Sequence, residues 1–438
     1  MIRKNLWIPS LIASIKSKLN KKFKPQDSHG NTKFSTSDYF LSGLAIFHLK
    51  YRSLLQLDKD KKNPDKFKNL QNLYLVDNIP SDTQFRVGMD KIKSKNLKFV
   101  FGLLISKLLD SKVINSYKSL DSSYNISIDG TGHYSSATVH CDNCCVKNHK
   151  DGTVTYYHNA LCAVIVNPDK KTVFPIGVEA IKNEDGNKKN DCESNAGKRL
   201  IKEIRTAHPF MKIRVLLDAL YLNGPFITEL KDNKMGFIIT AKESHQSYLF
   251  EEFNKSNNKI TYVTEKDNIQ YTYEYAHNLS LNESNKEILV NMVKYKEIDL
   301  NTNRIKFSSS WATDLTINNL NVHEFTRVAR SRWKIENETF NTLKNQDYNF
   351  EHNFGHGNDN LCTNMLILML IAFCIDQIQQ ATSEHFKSAL INLQSKLELW
   401  AEQRSYFKTF IIDSWESLYF ALAGKIKKVE LKSIVNTS

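Results

Sequence analysis

The sequence predicts a multidomain α+β protein: an α/β core split by a β-rich insertion, with a helical region before it and a helical tail after it. Three observations carry this. Residues 124–240 alternate short apolar strand-like runs with amphipathic helical runs, the signature of an α/β sheet. Residues 245–308 lack helical punctuation and alternate with period two in ITYVTE, QYTYEY, ILVNMVKY and RIKFSSS. Residues 37–109 and 360–424 carry apolar side chains at helical spacing. At 438 residues the chain is long enough for two or three cores.

The N-terminal region opens with a short amphipathic stretch (Leu6, Ile8, Leu11, Ile12, Ile15) interleaved with Lys16, Lys18, Lys21, Lys22 and Lys24. A polar, loop-like segment at 27–31 follows. Helices are expected from Ser37 to about Gln56, where Phe40, Leu41, Leu44 and Phe47 share a face, and after Pro80-Ser81-Asp82. A last one covers Leu97–Leu109. Together they form a basic helical region, residues 1–120.

At Tyr124 the character changes. YNISID is a strand ending in Asp129, with Gly130-Thr131-Gly132 expected to break it. Thr153–Asn167 and Thr172–Ala180 are two more strands, joined at Pro168-Asp169. A loop at 186–190 leads into a helix over Asp191–Ala207; the strand Lys212–Leu217 then ends in Asp218. A short helix (Pro225–Asp232) and a strand (Gly236–Thr240) complete the first part of the core, residues 121–243. The insertion is placed at 244–310, the second part of the core at 311–378, and the helical C-terminal region at 379–438.

Charge is unevenly spread. The net charge is +13, yet residues 1–120 alone hold 23 Lys and Arg against 9 Asp and no Glu, and the remainder is near balance. Such asymmetry points to a nucleic-acid-binding N-terminal region. The longest uninterrupted apolar run, Met365–Ile375, is too short for a membrane span and reads as a buried helix. No apolar stretch with a small-residue cleavage site opens the chain, and seven unevenly spaced cysteines accompany no export signal. A reducing cytoplasm without membrane attachment is the expectation.

Residues 327–347, RVARSRWKIENETFNTLKNQD, contain no Gly or Pro and are expected as one helix. Arg327, Arg330, Arg332 and Lys334 crowd its start, against the preference of the helix dipole. At about 100° per residue Glu336 lies about 40° from Arg332, while Glu338 is turned about 200° away from Glu336. Asp129 and Asp218 at strand ends, with Glu336 on this helix, form a set of carboxylates from separate elements. Such a set can hold two Mg²⁺ or Mn²⁺ ions for phosphoryl transfer, although any one strand-end Asp is more commonly a turn residue.

The stretches ISIDGTG (126–132), YYHNALCAVI (156–165), NDCESNAGKRL (190–200), VLLDALY (215–221), SRWKIENETFNTLKN (331–345) and NFEHNFGHG (349–357) resemble a known family. They are similar to bacterial insertion-sequence transposases with a ribonuclease-H-like Asp, Asp, Glu catalytic domain, in the cut-and-paste group whose Glu follows a β-rich insertion. The resemblance implies a ribonuclease-H-like core with Asp129, Asp218 and Glu336 as catalytic metal-binding triad. It also implies DNA contacts from Arg332, its neighbour Arg330 and Lys344, and a homodimer holding two element ends. The implied reaction is nicking at element ends followed by attack of the freed 3′-hydroxyl on target DNA. A non-catalytic DNA-binding relic and a metal-dependent nuclease without strand transfer share the same residues. Two positions depart from the family pattern. Ala329 stands where a Tyr precedes the Arg by three. Lys344 follows Glu336 by eight residues rather than seven, about 80° round an ideal helix.

His140, Cys141, Cys144, Cys145, His149, His158 and Cys162 form a second cluster, with Cys-x₂-Cys spacing at 141/144. With one such pair and the distal candidates in a predicted strand, buried thiols in a hairpin are preferred to a structural zinc. His352 and His356 flank Gly355 and read as a loop returning near the active site rather than as metal ligands. Trp311 reads as a core residue before a base-stacking one. Asp191 and Glu193 are either a helix cap or carboxylates supporting the metal ligands.

Overall fold

The computed structural model describes residues 4–23, 34–182 and 189–425. Lys24, the polar segment 27–31, most of the loop expected at 186–190 and the side chain of Asp191 lie outside the described residues.

Among the described residues, eleven strands form a single sheet: β1 (Lys118–Ser119), β2 (Ser123–Ser136), β3 (Cys145–Asn148), β4 (Val154–Val166), β5 (Phe174–Ile181), β6 (Ile213–Leu217), β7 (Gly236–Ala241), β8 (Ile260–Lys266), β9 (Ile269–Asn282), β10 (Asn285–Asp299) and β11 (Arg304–Thr313). Their order is β3-β4-β2-β6-β7-β11-β10-β9-β8, with β1 on β2 and β5 on β4. Only β2–β6 and β6–β7 are parallel; the other pairings are antiparallel. The first six residues of β2 and all of β6 are buried, as expected for strands covered on both faces.

Helices α1 (Ile8–Lys22), α2 (Thr36–His48), α3 (Leu54–Asp60), α4 (Pro64–Tyr74), α5 (Asp82–Lys91) and α6 (Phe99–Asp110) precede the sheet. Within it come α7 (Lys189–Ala207), α8 (Gly224–Asp232), α9 (Ser247–Lys255), α10 (Val322–Arg330) and α11 (Asn341–Asn345). α12 (Leu361–Thr382), α13 (Glu384–Leu393), α14 (Lys396–Thr409) and α15 (Trp415–Leu422) follow. Capping boxes at Ser35/Asp38 and Ser81/Gln84 start α2 and α5, satisfying backbone N–H groups that the first turn leaves open.

Four sequence expectations change. The helix expected over 37–56 stops at His48, because Lys50 takes a left-handed conformation (φ 57°), and resumes as α3. β2 does not break at Gly130–Gly132. It runs on to Ser136 opposite the similarly long β4, with a bulge between Gly132 and Tyr134. Those glycines serve close approach instead: a Cβ at Gly132 would lie 3.1 Å from Asn159 Oδ1. The 244–310 segment extends the core sheet rather than forming its own, since β11 pairs with β7 from Thr313↔Ile238 to Ser310↔Ala241. It also contains a helix, α9, whose Leu249, Phe250 and Phe253 are buried at i, i+1, i+4.

The core is one continuous apolar cluster reaching from Leu6 to Leu422. Its centre is α12, 22 residues whose most apolar stretch has a mean hydropathy of 2.0, long and apolar enough by composition to cross a membrane. Here 94% of its apolar window is buried inside the protein, so it is a core helix twice as long as the run visible in the sequence. Asp376 on α12 organises a buried polar knot. Lys50 Nζ donates to its Oδ2 at 2.6 Å and Tyr348 Oη to the same oxygen at 2.5 Å, while His48 Nε2 sits 3.1 Å from Oδ1. The Lys50 ammonium also lies over the rings of Tyr348 and Trp400, at 4.1 and 4.2 Å.

Candidate active site

The parallel register of β2 and β6 runs from Tyr124↔Ile213 to Ser127↔Leu216. Continued two places, it sets Asp129 beside Asp218, the residue that follows β6, on strands about 4.8 Å apart. Gly130 N–H donates to Asp129 Oδ1 (2.9 Å) within β2, and Leu220 N–H donates to Asp218 Oδ1 (3.0 Å) in the turn that follows β6, so a nearby backbone N–H orients each carboxylate.

Glu336 reaches the same place through Arg332. Arg332, a residue only 9% exposed, donates from Nη1 to Asp129 Oδ2 (3.2 Å) and from Nη2 to Glu336 Oε1 (3.3 Å). The Glu336 carboxyl is raised from the ordinary value by burial first, then by its hydrogen bond to Asp129 and that group's charge; Arg332 offsets part. Asp218 is raised too, chiefly by burial and further by Asp129, against the Leu220 N–H, Arg332 and Lys242. Lys242, just past β7, is a cation of this site that the sequence did not single out.

The segment that carries Glu336 is not one regular helix. α10 ends at Arg330, a 3₁₀ turn covers Ser331–Trp333, and a π-helical turn covers Ile335–Phe340 before α11. Ser127 Oγ on β2 donates to the Arg332 carbonyl (2.8 Å), so that oxygen is tied to the sheet where an ordinary helix would bond it within its own turn. Wide turns of this kind recur at functional sites. This one also revises the position of Lys344. One extra residue in the turn lets eight positions span what seven span in an α-helix, about 20° from full turns rather than 80°. Lys344 Nζ pairs with Glu351 (3.2 Å).

Other candidates sort as follows. Arg330 points to the insertion, paired with Glu297 and stacked on the Phe307 ring at 4.3 Å. Glu338 faces Lys334 and Lys396 electrostatically, away from the carboxylate set. Trp311 is 4% exposed and packed near Tyr295 and Phe325, as a core residue. Trp333 is 52% exposed with the Arg332 guanidinium 4.9 Å from its ring centroid. Glu193 joins the site: a Cβ on Gly130 would lie 3.3 Å from its Oε1, to which Tyr221 Oη donates at 3.1 Å. The sequence marked Glu193 only as a cap or supporting carboxylate, because its distance from Asp129 is set by α7 packing on the sheet.

The structure gathers Cys141, Cys144, His158 and His356 with their donor atoms within 4.8 Å of one another. His352 stays out, edge-on to Phe354 at 4.7 Å. Cys145, the apparent competitor, points the other way, its Sγ 3.7 Å from the Ile181 carbonyl.

The carboxylate site fits a hard divalent cation. Its donors are all oxygens, and burial plus mutual repulsion holds two of them above their ordinary range. Arg332, between Asp129 and Glu336, supplies positive charge where those two carboxylates meet. Replacing it with Ala is expected to slow DNA cleavage roughly 10²–10³-fold, the usual cost of one preorganised charge-stabilising donor. Lys at this position should recover only part, since one ammonium cannot fork to both carboxylates. Single-turnover cleavage beside a DNA-binding titration reads the difference.

The transposase DDE domain family matches residues 140–375, more than half of the chain, and the protein belongs to that family. Asp218, Arg332 and Glu336 lie inside the matched span; Asp129 stands just before it. Compared with curated proteins, the chain gives no match.

Proposed function

We propose that this protein is a DNA transposase of the cut-and-paste, insertion-sequence type, cleaving element ends and joining the freed 3′-hydroxyl to target DNA. The observation that carries the proposal is the convergence of Asp129, Asp218 and Glu336 around Arg332, from two adjacent strands and one irregular helix. These three residues would hold Mg²⁺ or Mn²⁺, which in pairs activate an attacking oxygen and stabilise the leaving oxygen in phosphoryl transfer. The chain's own contribution is orientation. Backbone N–H groups of Gly130 within β2 and of Leu220 in the turn after β6 fix the two Asp carboxylates, and the tether from Ser127 to the Arg332 carbonyl sets the helix against them. Arg332, with Lys344 further along the helix, would meet phosphates near the scissile bond, and the exposed Trp333 ring beside Arg332 supports this reading. Arg330 is the third DNA contact proposed on this segment. The basic N-terminal region binds the element ends in double-stranded DNA, two chains act together, and the work is done in the cytoplasm on nucleoid DNA.

The test incubates the full chain with a plasmid carrying the DNA that flanks its own gene. Nicks at defined ends, dependent on Mg²⁺ or Mn²⁺ and absent with chelator, followed by joined products and two chains per complex in ultracentrifugation, are expected. Nicking without joining makes the protein a nuclease. Binding with no cleavage under either metal makes it a relic.

A further inference from the structure

We propose that Cys141, Cys144, His158 and His356 form a closed zinc site that fastens the chain after the Glu336 helix to the strands carrying Asp129. Cys141 and Cys144 lie in the connection from β2 to β3, His158 on β4, and His356 in the loop between α11 and α12. The separations are Cys141 Sγ to Cys144 Sγ 3.9 Å, Cys141 Sγ to His158 Nε2 3.6 Å, and Cys144 Sγ to His158 and to His356 Nε2 3.3 Å each. The two imidazole Nε2 atoms are 3.1 Å apart. A tetrahedron with Zn–S about 2.3 Å and Zn–N about 2.0–2.1 Å has edges of about 3.8 Å (S–S), 3.6 Å (S–N) and 3.3 Å (N–N). These five edges each fall within a few tenths of an ångström of their counterparts, and the sixth, Cys141 Sγ to His356 Nε2, lies within 4.8 Å.

The donor set is the soft and borderline one that selects zinc over the hard cations of the carboxylate site. Four protein ligands leave no open position, which marks a structural rather than a catalytic ion. The surroundings orient the ligands. His356 Nδ1 donates to the Gly357 carbonyl (2.6 Å), leaving the Nε2 lone pair to face the cluster, and Cys141 N–H donates to Cys144 Sγ (3.4 Å). Tyr134, itself buried, packs its ring 4.5 Å from that of His356. No other group of three or more potential ligands this close occurs among the described residues.

The test needs neither DNA nor catalysis, so it stands or falls apart from the transposase proposal. The full chain, expressed with zinc in the medium and purified without chelator, is assayed for metal by mass spectrometry and for free thiols. One zinc per chain is expected, falling to none in Cys144→Ser and His356→Ala and staying at one in Cys145→Ser. Cobalt loaded into the intact chain should give the intense visible bands of a tetrahedral thiolate site, a readout that holds even where a variant fails to fold. A chain that takes up neither zinc nor cobalt in this form, a Cys141–Cys144 disulfide in the purified protein, or a Cys144→Ser variant with full zinc would overturn the proposal.

Discussion

Glu336→Gln and Asp218→Asn, made singly, are expected to abolish DNA cleavage while making the metal-free protein more resistant to heat. The loss follows from the chemistry proposed for the site. A carboxylate that holds a divalent ion supports several kcal/mol of transition-state stabilisation, which at about 1.4 kcal/mol per decade is roughly a thousandfold or more in rate. The gain follows from the pKa directions. Both carboxyls are raised in the folded protein, by burial first and then by Asp129. A raised acid binds its proton more tightly folded than unfolded, so its ionisation subtracts from stability as pH rises through the unfolded and then the folded value. At pH below both values the wild type carries no such cost; at neutral pH it carries all of it. The melting-temperature advantage of each variant should therefore grow from pH 4 to pH 7. A variant that is inactive and also less stable at pH 7 would show that these residues serve packing instead.

Asp376→Asn should be the most damaging single change to the fold. It leaves the Lys50 ammonium, enclosed by Tyr348, Trp400 and the α2 end, with no counter-charge. Breaking a buried pair in this way costs about 3–5 kcal/mol. Burial alone would raise the Asp376 carboxyl, but Lys50 and then His48 outweigh it and hold the group down to about 2. Its stabilising contribution is thus present above the unfolded value of about 3.9 and is lost as pH falls toward the folded one. Urea midpoints of the single variant and of Lys50→Met/Asp376→Leu separate the two ideas. The apolar pair should recover much of the loss, because the penalty comes from the orphaned charge rather than from missing volume.

Asp129, Asp218 and the Arg332/Glu336 pair were legible because each depends on local pattern. Each Asp follows a buried apolar run of a strand, and an i,i+4 spacing puts carboxylate and guanidinium on one face. The wide turn at 335–340 was not: the contact beside it, the Ser127 hydroxyl on the Arg332 carbonyl, comes from some two hundred residues away. The fusion of the insertion with the core sheet was hidden for a similar reason: alternation marks a strand but not its partner. The same limit applied to the Cys/His cluster. Its first three members sit close in sequence, yet His356 arrives by a fold-back that no spacing rule encodes. α9 was missed because nine residues rich in aromatics fit either periodicity.

α12 packs against α2 on one side and β5 on another, so helices from before the sheet and strands of the sheet wet the same apolar surface. In cooperative terms this leaves no seam along which the chain can melt in halves. Removing the basic N-terminal region would strip cover from the longest helix of the interior and loosen β5, which pairs with β4, the neighbour of the Asp129 strand. The proposed grip on DNA and the proposed chemistry therefore share one unfolding transition, and a lesion in either is felt as a loss of both.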